Sequence, residues 1–266
     1  SDDPPALASQ SAGITDVSQG STGKPKPLWV EKQHMLNSAH ITCDFLGLKA
    51  GDTALLCMPL DYIAGKMVVV RSIERNLHLL SVTPSGHPLS DHSLSEAGIS
   101  NEEITFAAMV PLQVYNSLQI PEERERLRQI RHLIIGGGAV DNKLSAALHN
   151  FPNAVWSTYG MTETLSHIAL RRLNGPDASE WYKPFDGVKV WLNEEGCLVI
   201  DAPAVCSHPL VTNDRAEICL FQTDNGVETP CFRILGRKDN VIDSGGIKIQ
   251  IEEVEHLLKS SLTADF

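Results

Sequence analysis

Apolar residues recur at helical spacing in two stretches of the first half of the chain. Residues 31–47 carry them loosely and end at Gly47, a residue that commonly stops a helix. Residues 62–74 place Ile63 and Met67 on one face of a second predicted helix. Both stretches therefore predict helices that pack one side against a core.

Short apolar runs bounded by Gly, Pro or polar residues predict buried strands. They lie at 53–58, 77–82, 105–110, 132–135 and 154–158. Further helices are expected at 111–128 and 141–149, so that strands and helices alternate. This alternation is typical of a largely parallel sheet with helices on its faces.

The pattern changes after Gly175. Short strand candidates with little helix between them follow at 188–192, 197–200, 216–220 and 232–235. We therefore expect an α/β fold in which a helix-covered, mainly parallel sheet is followed by a β-rich subdomain and the start of a small α+β C-terminal domain. The expected division is a core of residues 1–175, a β-rich subdomain of residues 176–237, and a hinge with a truncated C-terminal domain at 238–266.

Composition limits the partners of the chain. It has 266 residues, 42% of them hydrophobic, and a net charge of −11 with a pI near 5.3. This balance argues against a general nucleic-acid or anionic-membrane surface, so an anionic ligand needs a local cluster of donors and cations. The six cysteines are scattered without zinc-type spacing, and no apolar run approaches membrane length. We expect a soluble, cytoplasmic protein with reduced thiols and no membrane insertion.

One such cluster lies at residues 17–26, with the sequence Val-Ser-Gln-Gly-Ser-Thr-Gly-Lys-Pro-Lys. Glycines let backbone amides approach an anion, hydroxyls donate hydrogen bonds, and lysines neutralise a polyphosphate. The run lacks the Walker spacing because Pro25 follows Gly23-Lys24. It predicts a loop for ATP phosphates; a flexible linker of the same composition is the alternative.

A second cluster, at residues 159–164, reads Tyr-Gly-Met-Thr-Glu-Thr and follows the predicted strand 154–158. Ligands of open α/β sheets bind where the parallel strands end, so a loop there with a carboxylate and hydroxyls is well sited for catalysis. A carboxylate near phosphates commonly holds Mg²⁺. The alternative is a capped turn without chemistry.

Five motifs in order resemble those of the adenylate-forming superfamily, which includes acyl-CoA synthetases, nonribosomal adenylation domains and luciferases. The phosphate loop at 18–26 is similar to the family's, with Gln19 in place of a serine. The other matching segments are 136–139 (Gly-Gly-Gly-Ala), 159–163 (Tyr-Gly-Met-Thr-Glu), 211–214 (Val-Thr-Asn-Asp) and 236–249, which opens with Gly-Arg-Lys-Asp.

The resemblance implies a role for each matching residue. Ser21, Thr22, Gly23 and Lys26 would meet the β- and γ-phosphates of ATP. Thr162 would touch the α-phosphate, and Glu163 would hold Mg²⁺; with Lys26 these two form the implied catalytic set. Further ATP contacts are implied for the adenine side and the ribose: Gly137, Gly138, Ala139, Tyr159, Asp214 and Arg237. Asp239 would be the hinge on which the small domain rotates before thioester formation with coenzyme A, the second substrate.

Within the superfamily, residues 159–170 look most like o-succinylbenzoate:CoA ligases of menaquinone biosynthesis. In those ligases an arginine at the place of Arg71 pairs with the substrate's second carboxylate, a task that suits a bidentate guanidinium. The implied acid-binding set is Tyr62, Arg71, Gly160, Met161, Ser166 and His167. The alternatives are a surface arginine paired with Glu74 or Glu31, and a structural histidine at position 167.

The chain departs from the family at its ends. It begins about fifteen residues before the phosphate loop and stops about twenty-seven after the hinge, without the family's C-terminal adenylation lysine. We therefore expect it to bind ATP and acid better than it turns them over. A ligase for another aryl or fatty acid and a non-catalytic adenylate-binding protein stay open, as does a homodimer.

Overall fold

The structure, a computed structural model, describes residues 14–18, 26–96, 104–222, 228–244 and 247–250. In chain order its strands are β1 (Ile14–Ser18), β2 (Lys26–Val30), β3 (Thr53–Leu56), β4 (His78–Ser81), β5 (Phe106–Met109), β6 (His132–Ile135), β7 (Ala154–Gly160), β8 (His167–Arg172), β9 (Lys183–Pro184), β10 (Lys189–Leu192), β11 (Cys197–Asp201), β12 (Leu210–Gln222), β13 (Glu228–Arg237), β14 (Val241–Ser244) and β15 (Ile247–Gln250). Its α-helices are α1 (Lys32–Leu46), α2 (Ile63–Arg75), α3 (His92–Glu96), α4 (Pro111–Gln119), α5 (Pro121–Gln129) and α6 (Asn142–Leu148).

The central sheet has seven strands in the order β4-β3-β5-β6-β7-β8-β9. Neighbours from β4 to β7 pair in parallel, whereas β8 and β9 are added antiparallel. The mainly parallel, helix-covered sheet expected from the sequence is therefore confirmed. None of the helices in the described part of the chain combines the length and apolar character needed to cross a bilayer.

Alternation along the parallel strands buries both faces of this sheet. Leu56, Phe106 and Ile134 pack on one face with α1 and α2, while Leu55 and Leu133 pack on the other with the helices α4, α5 and α6. Helix α1 ends as predicted, at Gly47, which adopts the left-handed conformation with φ of 64°. The helices thus cover the faces and leave the strand ends open.

A second sheet, with the order β10-β11-β12-β13, is antiparallel throughout. It packs its apolar face against α1, α2 and β8 in a shared core that contains Phe232. Backbone hydrogen bonds of 2.7 and 3.0 Å link Tyr182, just before β9, to Phe232 in β13. The β-rich part therefore lies beside the edge of the central sheet that β8 and β9 form.

Three local expectations need correction. Tyr159 and Gly160 belong to β7 rather than to a loop, because β8 pairs with them antiparallel and extends the strand. Strand β8 itself was not expected, since its apolar and basic residues gave no clear alternation. Strands β1 and β2 pair antiparallel, a pairing that the sequence analysis did not predict. Residues 19–25 and the helix-like tail at 252–259 lie outside the described residues.

Candidate active site

A cavity of about 280 Å³ lies where the parallel strands β3, β5, β6 and β7 end. This is the edge at which open α/β sheets bind ligands. Its walls come from the ends of those strands, from α2 and from the turn before β8: Met58, Ile63, Ala64, Arg71, Ala108, Met109, Ile134, Gly136, Gly137, Thr158, Gly160, Met161, Thr162, Leu165, Ser166 and His167. The lining is largely apolar, with a few polar groups, as in small-molecule sites.

Two glycines let the walls approach one another. A Cβ atom on Gly160 would collide with the backbone carbonyl of Ser166, and one on Gly136 would collide with the hydroxyl of Thr158. Gly160 therefore allows β7 to run against the start of β8. A residue larger than glycine at either position would force these neighbours to shift.

The turn from β7 to β8 holds Thr162 at the cavity. Residues Thr162–Thr164 form a short 3₁₀ helix, and the buried Thr164 hydroxyl accepts a hydrogen bond of 3.0 Å from the amide of Met161. Leu165 is buried with a φ of 65°, a strained conformation for a non-glycine residue. Such strain is characteristic of ligand-binding turns. Glu163 is exposed beside Thr162.

Tyr159 connects the central sheet to the second sheet at a cluster formed by Tyr159, Asp214, Arg237 and Asp239, which we call the nucleotide end after the role expected from the sequence. The Tyr159 hydroxyl donates to Asp214 Oδ2 over 2.6 Å, and Arg237 Nη1 lies 3.7 Å from Asp214 Oδ1. Burial and then the charge of Asp214 raise the pKa of Tyr159, so the phenol stays protonated and donates. The ring also packs edge-on against Phe232, with centroids 5.0 Å apart.

Register explains why these groups meet. Asp214 of β12 pairs directly with Arg237 of β13. Arg237 then donates hydrogen bonds of 2.8 Å from Nε and Nη2 to the two carboxylate oxygens of Asp239. Two motifs that are far apart in the sequence are therefore joined by a single hairpin.

The other end of the site is formed by Arg71, Ser166, His167 and Thr42, and we call it the acid end after the role expected from the sequence for the first three. Arg71 on α2 is only 2% exposed, and its Nη2 donates to Ser166 Oγ over 2.7 Å. Burial lowers its pKa to about 10, so it is charged at neutral pH. Its Nε has no hydrogen-bond partner among the described residues, and none of their carboxylates lies within 4 Å of its nitrogens.

The surface-arginine alternative for Arg71 is therefore wrong. Glu74 pairs instead with His40 at 2.9 Å and with Arg75 at 3.3 Å. On α2, Arg71 is buried, whereas Glu74 is partly exposed and pairs with groups at the helix surface. Among the residues that the structure describes, the buried cation of the acid end therefore has no neutralising partner at the cavity.

His167 is also buried and lines the cavity, with Nδ1 3.1 Å from Ser166 Oγ and Nε2 3.0 Å from Thr42 Oγ1. Burial, and next the nearby charge of Arg71, hold the pKa of His167 well below its usual range. The imidazole is therefore neutral. It has a structural role in this network and also faces the cavity.

The cavity includes several of the expected site residues and omits others. It is lined by Arg71, Gly137, Gly160, Met161, Thr162, Ser166 and His167. Tyr62 is half exposed where α2 begins, and Gly138, Ala139, Tyr159 and Asp214 are outside the lining. Ser21, Thr22, Gly23 and the side chain of Lys26 lie outside the described residues.

Thr42 was missed by the sequence analysis. It is fully buried on α1, between Ala39 and Leu46 on the apolar face of that helix. A hydroxyl at a core position of an amphipathic helix needs a hydrogen-bond partner, and this was the available signal.

The donors present suit a magnesium ion that is shared with a nucleotide. In the described part of the chain, no group of three His, Cys, Asp or Glu side chains could enclose a metal. Mg²⁺ bound to ATP keeps waters and phosphate oxygens as ligands and needs only one or two carboxylates. The exposed Glu163, beside the hydroxyl of Thr162, fits that requirement.

Sequence comparison finds curated relatives of this chain, among them two 2-succinylbenzoate–CoA ligases. The chain is 26% identical over 255 residues to the 2-succinylbenzoate–CoA ligase of Haemophilus influenzae, which covers 91% of this chain and 52% of that protein. It is 26% identical over 263 residues to the 2-succinylbenzoate–CoA ligase of Bacillus mycoides, with 91% and 53% covered. The chain therefore spans about half the length of the curated relatives it matches.

Solved structures share the fold. An acyl-CoA synthetase (AMP-forming)/AMP-acid ligase II-like protein of Dyadobacter fermentans superposes with a TM-score of 0.73 and 34% identity, over 94% of this chain and 67% of that one. The o-succinylbenzoate coenzyme A synthetase of Bacillus subtilis, in complex with ATP and magnesium ion, gives a TM-score of 0.70 and 22% identity, over 94% and 55%. The profile of the AMP-binding enzyme family matches residues 18–209. Since this match covers well over half of the sequence, the chain belongs to the AMP-binding enzyme family.

Proposed function

We propose that this chain is the ATP- and acid-binding part of an acid:CoA ligase that works through an acyl-adenylate, and that its acid is o-succinylbenzoate. Family membership and the names of the relatives support the reaction class. The observation that carries the choice of acid is Arg71, a buried cation at the cavity that has no carboxylate partner in the described part of the chain. A second carboxylate on the substrate would neutralise it.

In the first half-reaction, a carboxylate oxygen of the acid forms a bond to the α-phosphorus of ATP, and the bond to the bridging β-phosphate oxygen breaks, so that pyrophosphate leaves. Charge builds on the phosphoryl oxygens, and catalysis therefore consists mainly of positioning and electrostatic stabilisation. In this proposal Thr162 donates to the α-phosphate. The loop residues Ser21, Thr22, Gly23 and Lys26 bind the departing phosphates.

Nucleotide binding in this proposal uses the second sheet. Asp214 accepts hydrogen bonds from the ribose hydroxyls, held in place by Tyr159 and Arg237. Gly137, Gly138 and Ala139 line the adenine side. Glu163 would hold Mg²⁺, which supplies charge neutralisation at the phosphates when it is bound.

In the second half-reaction, the thiol sulfur of coenzyme A forms a bond to the acyl carbon, its proton is released, and AMP leaves with the electron pair of the broken C–O bond. Asp239 lies in the short 3₁₀ helix Lys238–Asn240 after β13, where we propose that the chain rotates between the two half-reactions. No protein nucleophile takes part in this scheme.

Two alternative functions would use the same nucleotide end. A ligase for another aryl or fatty acid would leave Arg71 without an anionic partner, and this disfavours it. A non-catalytic adenylate-binding protein is kept open by Gln19 in the phosphate loop.

The test is calorimetric titration with two non-hydrolysable acyl-adenosine analogues, one with an o-succinylbenzoyl group and one with a plain benzoyl group. Pairing of a buried charge is worth about 2 kcal/mol or more, so the first should bind at least about thirtyfold more tightly. Equal binding would contradict the choice of acid and keep the adenylate site. Failure of both analogues to bind would contradict the adenylate site itself.

A further inference from the structure

The four side chains of the acid end form one connected hydrogen-bond chain. Thr42 Oγ1 lies 3.0 Å from the backbone carbonyl of Ser38 and 3.0 Å from His167 Nε2. His167 Nδ1 lies 3.1 Å from Ser166 Oγ, and Ser166 Oγ lies 2.7 Å from Arg71 Nη2. Thr42 also lies 3.4 Å from Arg71 Nη2, which closes the chain into a ring.

The direction of every bond in this chain follows from its two ends. The Ser38 carbonyl can only accept, so the Thr42 hydroxyl donates to it and must itself accept from His167. The neutral imidazole therefore carries its proton on Nε2, and its Nδ1 accepts from the Ser166 hydroxyl. Ser166 then has its lone pairs free to accept from Arg71, which can only donate.

These hydrogen bonds fix the side-chain torsion of Ser166 and the orientation of the Arg71 guanidinium. Thr42 is fully buried and does not line the cavity, whereas Arg71, Ser166 and His167 do. Any effect of Thr42 on a ligand must therefore pass through those three side chains. Arg71 Nε is buried and has no hydrogen-bond partner among the described residues, so this arrangement leaves the guanidinium incompletely satisfied.

We propose that Thr42 is a positioning residue of the acid end: through His167 and Ser166 it holds the Arg71 guanidinium in the orientation that receives the second carboxylate of the substrate. This inference rests on the proposed function. Its rival is a purely structural role, in which Thr42 does no more than bond to the preceding turn of α1. The positioning role and the structural role differ in which ligands should bind less tightly when Thr42 is replaced.

The test compares Thr42→Val, which removes the hydroxyl at nearly constant shape, with Thr42→Ser, which retains it. Both variants are titrated with the o-succinylbenzoyl and benzoyl adenosine analogues. Thr42→Val should lose about five- to tenfold in affinity for the first and less than about twofold for the second, because only the first reaches Arg71. Thr42→Ser should remain within about twofold of the unaltered chain for both.

Thr105→Val is the matched control. Thr105 is also buried, but it lies just before β5, at the end of the parallel strands that is opposite to the cavity. It should leave both affinities unchanged. An equal loss for both analogues in Thr42→Val, or no loss in either, would overturn the positioning role. Absence of any preference in the unaltered chain would remove the proposed acid and this inference with it, so the two failures are distinguishable.

A second measurement needs no variant. The ¹⁵N chemical shifts of histidine report which ring nitrogen carries the proton, and His167 should have it on Nε2. A proton on Nδ1 would contradict the inferred hydrogen-bond directions and the positioning role with them, because Ser166 would then accept from both the imidazole and Arg71.

Discussion

The two ends of the site hold their positive charges in opposite ways. At the nucleotide end, Arg237 makes two hydrogen bonds of 2.8 Å to Asp239 and lies 3.7 Å from Asp214. At the acid end, Arg71 is bound only by hydroxyls, and no carboxylate of the described residues lies within 4 Å of its nitrogens. The first arrangement is neutralised before any ligand arrives, whereas the second depends on an anion for its neutralisation.

The largest expected effect comes from substituting Gly160, which lies between the two ends of the site. Gly160 lies next to Tyr159 of the nucleotide end and against the carbonyl of Ser166 of the acid end. Gly160→Ala should push β7 and the start of β8 apart, lower the free energy of unfolding by about 3 kcal/mol, and abolish binding of both adenosine analogues. Thermal unfolding and calorimetry measure the two effects.

Gly138→Ala is the control for this change. A Cβ there would make only ordinary contacts, at 3.5 and 3.7 Å from Pro111, without a positive φ. Gly138→Ala should therefore leave the free energy of unfolding within about 0.5 kcal/mol of that of the unaltered chain. Unchanged binding in Gly160→Ala would mean that the close approach of β7 and β8 does not shape the cavity.

A smaller effect should separate the two ends. Tyr159→Phe removes the 2.6 Å hydrogen bond to Asp214 and should weaken both analogues equally, by about 1–2 kcal/mol, without changing the preference between them. The matched control is Tyr182→Phe. The hydroxyl of Tyr182 contacts Ser157 at 2.8 Å instead, so its removal should leave both affinities unaltered. If Tyr159→Phe changes the preference, the two ends are not independent.

The smallest effect concerns pH. Burial and then Arg71 lower the pKa of His167 in the folded state, so below the unfolded value of about 6.5 only the unfolded chain takes up the proton. The stability from the neutral imidazole is thus present above pH 6.5 and is lost as pH falls, by about 1 kcal/mol at pH 5.5. The pKa of His132 is lowered as well, chiefly by burial, and adds in the same direction.

Comparison with His167→Gln isolates this contribution. The free energy of unfolding of the unaltered chain should fall more steeply between pH 7.5 and 5.5 than that of the variant. Parallel curves would show that the acid end does not exclude a charged histidine.

Much of the fold was predictable because it depends on local signals. Apolar runs such as 132–135 are buried on both faces, and Gly47 ends α1 where expected. Strand β8 was not predictable, because it exists through antiparallel pairing with β7 rather than through its own alternation. The same pairing places Tyr159 and Gly160 in a strand.

The site was predictable as a set of motifs but not as an arrangement. The sequence pointed to Arg71, Ser166 and His167 through resemblance, yet their hydrogen bonds run through Thr42, which belongs to no motif. Likewise Asp214 and Arg237 meet through the register of β12 and β13. Such long-range pairings depend on tertiary structure, and a single sequence does not encode them locally.

The most direct test of the central claim uses two arginines on the same helix. Arg71 faces the cavity, whereas Arg75, one turn later, pairs with Asp44 at 2.6 Å and with Glu74 at 3.3 Å on the surface. Calorimetry with the two analogues would be repeated on Arg71→Leu and Arg75→Leu. Arg71→Leu should abolish the preference for the o-succinylbenzoyl analogue and leave the benzoyl affinity intact, while Arg75→Leu should change neither. A preference that survives in Arg71→Leu would contradict the account.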